Sequence, residues 1–115
     1  MRNVYSVKQV NAYIKNMFTQ DFMLNRIYVK GEVSNCKYHT SGHIYFSLKD
    51  EFSEISAMFF YPSNLSLSFT PSDGMKVQAI GKVQIYQNAH QIHQNTLLIE
   101  FYSALMFCLY LILAD

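Results

Sequence analysis

Between residues 27 and 60 the chain alternates apolar and polar side chains three times over, and this two-residue period constrains the fold more than any other feature. Successive side chains on an extended strand point to opposite faces, so the period marks strands with one buried face. In the first run Ile27, Val29, Gly31 and Val33 fall on one side, and Tyr28, Lys30, Glu32 and Ser34 on the other. In the second, Ile44, Phe46 and Leu48 oppose His43, Tyr45, Ser47 and Lys49; in the third, Ile55, Ala57 and Phe59 oppose Ser56, Met58 and Phe60. The inward sets are apolar. The outward sets mix rings with lysines, which supplies flat faces for bases and cations for phosphates, the combination a groove for single-stranded nucleic acid needs. An ordinary solvated sheet face carrying a few tyrosines is the plainer reading.

Around these runs the remaining elements fall into place. Ser6 is a good N-cap with Gln9 three residues on, which predicts a helix over residues 7–18. Its stripe of Val7, Val10, Ile14, Met17 and Phe18 is expected to cover one end of the sheet. Strand one is predicted long, over residues 27–37, with a bend at Gly31 that lets it serve both halves of a small barrel. Residues 38–42 form the loop to strand two, and Asp50-Glu51 the turn into strand three. One helical turn is expected near residues 63–67, then a turn at residues 71–74. Strand four covers residues 75–86 with Gly81 inside it, and strand five lies somewhere within residues 91–101. Five short strands with a helix-like insertion between the third and fourth resemble the five-stranded Greek-key OB-fold barrel, here mainly β and preceded by one N-terminal α-helix. The expected organisation is helix and connection over 1–25, barrel over 26–101 and an apolar tail over 102–115.

A chain of 115 residues can bury a real core without metal or disulfide staples, and its net charge of +1 is lower than a dedicated duplex binder would carry. Nucleic-acid affinity must then come from a local patch plus stacking, with modest salt sensitivity. Cys36 and Cys108 show no paired spacing and no secretory signal precedes them, which fits reduced thiols in a cytoplasmic protein. The apolar stretch 103–114 is too short to span a bilayer, so burial or cover by a partner is expected and no membrane.

Four separated segments carry a family resemblance: residues 4–15 (VYSVKQVNAYIK), 29–35 (VKGEVSN), 41–50 (SGHIYFSLKD) and 73–77 (DGMKV). In unbroken order over residues 4–86, they are similar to the N-terminal domain of the exodeoxyribonuclease VII large subunit. The resemblance implies an OB-fold barrel that grips single-stranded DNA, feeds it to a catalytic domain, and belongs to a subunit that assembles with copies of a small helical subunit. It implies an exonuclease that cuts single-stranded DNA to oligonucleotides; the isolated chain is expected to be inactive. Three departures stand out. Tyr61 replaces a basic residue, and the segment 86–95 lacks the family's glycine and Tyr-Gln pair; the apolar tail is also unlike the family.

The expected contacts are Lys30, Tyr45, Met58 and Phe60 on the outer sheet face. Lys37, Tyr38, His39 and His43 join them from the loop after strand one, with Lys82 and Tyr86 on the far rim. No cofactor and no metal is expected: His39, His43, His90 and His93 have ligand-like spacing but no cysteine or carboxylate completes a set. Asp50, Glu51 and Glu54 read as a solvated turn rather than a nuclease centre. The alternative reading is a non-catalytic protein-interaction barrel that docks through its aromatic face and apolar tail.

Overall fold

The computed structural model describes residues 2–87 and 95–106, with backbone alone at 86, 87, 95, 96, 105 and 106. Helix α1 (Val7–Gln20) comes first, then strands β1 (Ile27–Tyr38), β2 (Ile44–Lys49) and β3 (Glu54–Phe59). A single 3-10 turn (Ser63–Ser66) leads to β4 (Lys76–Gln87) and β5 (Asn95–Met106). The strands close into a barrel in the order β1-β2-β3-β5-β4, with β3 and β5 parallel and the other pairs antiparallel.

The alternation read from the sequence is the alternation of the barrel. Val33, Ile44, Phe46, Leu48, Ala57, Phe59, Val77, Ala79, Ile99, Phe101 and Ala104 form the core. Phe46, Phe59 and Phe101 meet at its centre, with centroids 5.3 to 6.0 Å apart. Each buried ring contributes about 1.5–3 kcal/mol by leaving water.

β1 serves both halves as expected. Residues 27–32 pair with β4 and residues 32–38 with β2, so Glu32 faces both Lys49 and Lys76. Gly31 stands next to this changeover, and a Cβ there would sit 2.8 Å from Leu48 Cγ and 2.9 Å from the Lys49 carbonyl oxygen. Gly81 has the same role in β4: a Cβ there would lie 2.2 Å from the Glu100 carbonyl oxygen, at the point where the β4–β5 register shifts. Three of the strands, β1, β4 and β5, run to 12 residues rather than being short, and β4 and β5 pair with each other along almost their whole length. β5 therefore extends beyond the expected window. It pairs with β4 from Gln87–Asn95 to Val77–Met106, and the start of the apolar stretch, including buried Ala104, belongs to the barrel.

A second departure lies in β1. Between the Ser34–Ser47 and Lys37–Tyr45 pairs, β1 has two residues, Asn35 and Cys36, where β2 has one. This bulge puts Asn35 at φ 54 and turns Cys36 against the core. The Cys36 N–H donates to Asp73 Oδ1 at 2.7 Å, and burial, then the Asp73 charge, pushes the thiol pKa up.

The helix behaves differently from expectation. Its capping box forms: the Gln9 N–H donates to Ser6 Oγ at 3.1 Å, and the Ser6 N–H to Gln9 Oε1 at 2.8 Å. Yet no residue of α1 is buried, and Val7, Val10, Ile14 and Met17 of the stripe are exposed rather than covering the sheet. Leu67, Phe69 and Met75, from the chain between β3 and β4, pack against the core instead, and the connector after α1 is held to the barrel where the Val83 N–H donates to the Leu24 carbonyl at 2.8 Å. Among the described residues no helix is long and apolar enough to cross a membrane.

Candidate nucleic-acid interface

One row of outward side chains crosses all five strands. Lys37 of β1 lies opposite Tyr45 of β2, Tyr45 opposite Met58 of β3, Met58 opposite Glu100 of β5, and Glu100 opposite Lys82 of β4. At about 4.8 Å per strand the row runs roughly 19 Å over the curved surface. The β1 bulge brings Lys37 into it, since uninterrupted alternation from Val33 would have turned this lysine inward.

Beside the row stands a cluster of rings. His43 and Phe60 meet edge to face at 4.7 Å, His43 and Tyr45 at 6.3 Å, and His39 and Tyr45 at 6.0 Å. Such T-shaped contacts leave ring faces unstacked by one another. His39 is exposed; His43, Tyr45 and Phe60 are half-buried.

The loop between β1 and β2 is held in place locally. The His39 N–H donates to the His43 carbonyl at 3.0 Å and the Gly42 N–H to the His39 carbonyl at 2.9 Å, with Gly42 at φ 92. From the far side the Tyr61 N–H donates to His43 Nδ1 at 3.0 Å, and Asn64 Nδ2 donates to the Gly42 carbonyl at 2.6 Å. The first bond fixes the His43 ring: with Nδ1 accepting, Nε2 is left as the position for the ring hydrogen.

Comparison with known proteins fits this geometry. Residues 5–96 match the family model described as an OB-fold nucleic acid binding domain. The chain belongs to this family. It is 55% identical over 87 residues to the exodeoxyribonuclease 7 large subunit of Lachnoclostridium phytofermentans, a match covering 76% of this chain and 22% of that protein. With the large subunit of Clostridium tetani it is 42% identical over 99 residues, covering 84% of this chain and 25% of that protein. The chain therefore spans about a quarter or less of these relatives. Among solved structures, a putative aspartyl-tRNA synthetase from Leishmania major (TM-score 0.53, 10% identity, 73% of this chain and 18% of that one) shares the fold. So does the asparaginyl-tRNA synthetase of Entamoeba histolytica (TM-score 0.53, 12% identity, 77% of this chain and 22% of that one). The chain is thus an OB-fold nucleic-acid-binding domain, homologous to the exodeoxyribonuclease VII large subunit.

On this OB-fold domain the structure gathers Lys37, His39, His43, Tyr45 and Phe60 into one patch. It does not gather all the residues expected. Met58 occupies the right position in the row but is 0% exposed, so no base can reach it. Lys82 is in the row, its Nζ 3.6 Å from Glu100 Oε2, while Gln84 Nε2 donates to the same oxygen at 2.6 Å. Lys30 lies away from the rings, opposite Gln78 on the β1–β4 side. There it lines an open depression of about 620 Å³ with Lys49, Lys76, Glu32, Asp50 and Glu51, whose carboxylates match the lysines in number. Tyr38 belongs to β1 rather than the loop and turns to the barrel end, where its hydroxyl donates to the Pro71 carbonyl. Burial, then the nearby Cys36, raises its pKa. Tyr86 has its backbone in β4 opposite Thr96; its side chain lies outside those described. His90, His93 and Cys108, and the apolar stretch from 107 onward, also lie outside the described residues.

Sequence reasoning missed Glu100 and Gln84, which restrain Lys82; with strand five placed only loosely, the register pairing these residues was not visible. Tyr61, which stands where a basic residue is expected, lies against Gly42 on the far side of the loop, where a Cβ on Gly42 would come within 2.8 Å of the ring. Asp50 accepts the N–H groups of Phe52 and Ser53, both at 2.9 Å, which lowers its pKa and makes it a turn residue. Among the described residues no three His, Cys, Asp or Glu side chains are grouped to hold a metal ion.

Proposed function

We propose that this barrel is the single-stranded DNA-gripping module of an exodeoxyribonuclease VII large subunit, acting in the cytoplasm. Bases stack on Tyr45, Phe60 and the two histidines, while Lys37 and Lys82 meet phosphates from opposite ends of the row. The observation that carries this reading is the ring cluster beside Lys37, because it sets partly exposed rings next to a cation on the sheet of a nucleic-acid-binding fold. The Lys82–Glu100 contact fits as well: the lysine side chain is 36% exposed and its Nζ is 3.6 Å from a carboxylate oxygen that also accepts from Gln84, so a phosphate can reach the ammonium from solvent. The lysine contacts are sequence-independent, and discrimination against duplex follows because stacked bases in a duplex do not offer their faces.

In this reading the whole protein, with its small subunit, degrades single-stranded DNA to oligonucleotides, and the barrel delivers the strand without taking part in the chemistry. Fluorescence anisotropy of labelled oligothymidine at low and moderate salt tests it. Weak binding that falls with salt, with no binding of a blunt duplex and no cleavage, is expected; equal affinity for duplex, or none for the single strand, contradicts it.

A further inference from the structure

Behind the ring cluster, on the other side of the β1–β2 loop, lies a cavity that the stacking surface does not use. It measures about 380 Å³, opens at the barrel end, and is lined by Tyr38, Gly42, Tyr61, Leu65 and Phe69, with Pro71 closing one side. This volume is at the small end of the range for ligand pockets, about 300–1,000 Å³. Its walls are mainly apolar or aromatic, with Asn64 and Thr70 as the polar members, yet Tyr38, Tyr61 and Leu65 remain 56%, 50% and 71% exposed, so the lining is poorly covered by the chain itself. The pocket is continuous with the ring cluster through the loop: Gly42 lines it, and the Tyr61 backbone holds the His43 ring on the patch side.

We propose that this cavity takes one unstacked nucleobase of the strand lying across the Lys37–Tyr45 patch. The inference rests on the reading of that patch as the DNA-gripping face and deepens it by adding a base site beyond the sheet. The occupant is an aromatic heterocycle on a flexible polyanion: the Tyr38, Tyr61 and Phe69 rings offer stacking, the aliphatic side chains apolar contact, Asn64 and Thr70 the polar groups, and no ionised group of the described chain lines the pocket. Single-stranded DNA can turn a base out of line because its bases are not held by a partner strand. The same loop that orders His39 and His43 would then sit between the stacked bases and the turned-out one.

Photo-crosslinking of the 115-residue chain to oligothymidine carrying 5-iododeoxyuridine, followed by peptide mass spectrometry, tests this. Adducts on Tyr61 or Tyr38 in addition to Tyr45 are expected. Leu65→Trp, which places an indole at the cavity mouth, should remove the pocket adducts and weaken binding about 5- to 10-fold, leaving the Tyr45 adduct and the far-ultraviolet circular dichroism unchanged. Tyr61→Ala serves as a second variant, since it keeps the backbone bond to His43 while removing the wall, and should weaken binding similarly. Adducts confined to Tyr45 and Phe60, with both variants binding as well as the parent chain, overturn the base pocket and leave the stacking face standing. Absence of both adducts and anisotropy change overturns the face and the pocket together.

Discussion

β2, β3 and the residues flanking them carry aromatic rings on both sides of the sheet, and the two sides use them differently. Inside, Phe46 and Phe59 stack at an interplanar angle of 24° and Phe46 and Phe101 at 18°, all three rings buried to 5% exposure or less. Outside, His43 meets Phe60 at 72°, His43 meets Tyr45 at 89°, and all three rings stay partly open to solvent. Inner rings stack face against face; outer rings meet edge to face and keep part of their surface in solvent. The same strands thus build a core from one set and a stacking surface from the other, and ring orientation separates stability from binding.

The comparison can be broken most forcefully from the inside. Phe59→Ala should cost about 3–5 kcal/mol of stability by chemical denaturation, since it empties the centre of the core. A cost below about 1 kcal/mol would mean that the inner rings are not the fold's main support. Tyr45→Ala should do the reverse: affinity for oligothymidine falls about 5- to 150-fold, from about 1–3 kcal/mol of stacking, while stability changes by less than about 1 kcal/mol. Equal losses in both quantities would erase the distinction between the faces.

Smaller effects sharpen the outer side. Lys37→Ala should reduce the slope of log affinity against log salt by about 0.7, the loss of one single-strand phosphate contact. Lys30→Ala should leave the slope unchanged, because Lys30 sits among balanced charges away from the rings. Asp50→Asn gives the smallest effect and touches both faces through their shared turn. The folded carboxyl has a lowered pKa, so its contribution is present above the unfolded value of about 3.9 and disappears as pH falls through the folded value. The variant's melting temperature should therefore be slightly lower near neutral pH and converge with that of the parent chain in acid.

Much of this arrangement was legible in the alternation. Phe46, Phe59 and Val33 were assigned inward, Tyr45 and Phe60 outward, and Gly31 and Gly81 marked the bends where strands approach too closely for a side chain. What was not legible depends on the third dimension. Lys37 reaches the outer face through a bulge at Asn35, which no period reveals. Met58 lies on the outward phase yet is buried, because alternation gives a side chain's direction and not what covers it. Tyr38 and Lys82 looked equivalent to other rings and cations, but a carbonyl at Pro71 and a carboxylate at Glu100, distant in sequence, claim their polar groups. The α1 stripe follows the same lesson: amphipathic spacing predicted the helix correctly and said nothing about whether the barrel needed its cover.

The most direct measurement is a nuclear magnetic resonance titration of the isotope-labelled chain with oligothymidine, following backbone and aromatic signals together. The ring signals of His39, His43, Tyr45 and Phe60 and the amide of Lys37 should shift in concert, while Phe46, Phe59, Phe101 and Lys30 hold still. Shifts centred on the Lys30–Lys76 depression or on α1, with the Tyr45 and Phe60 rings unmoved, would contradict the account.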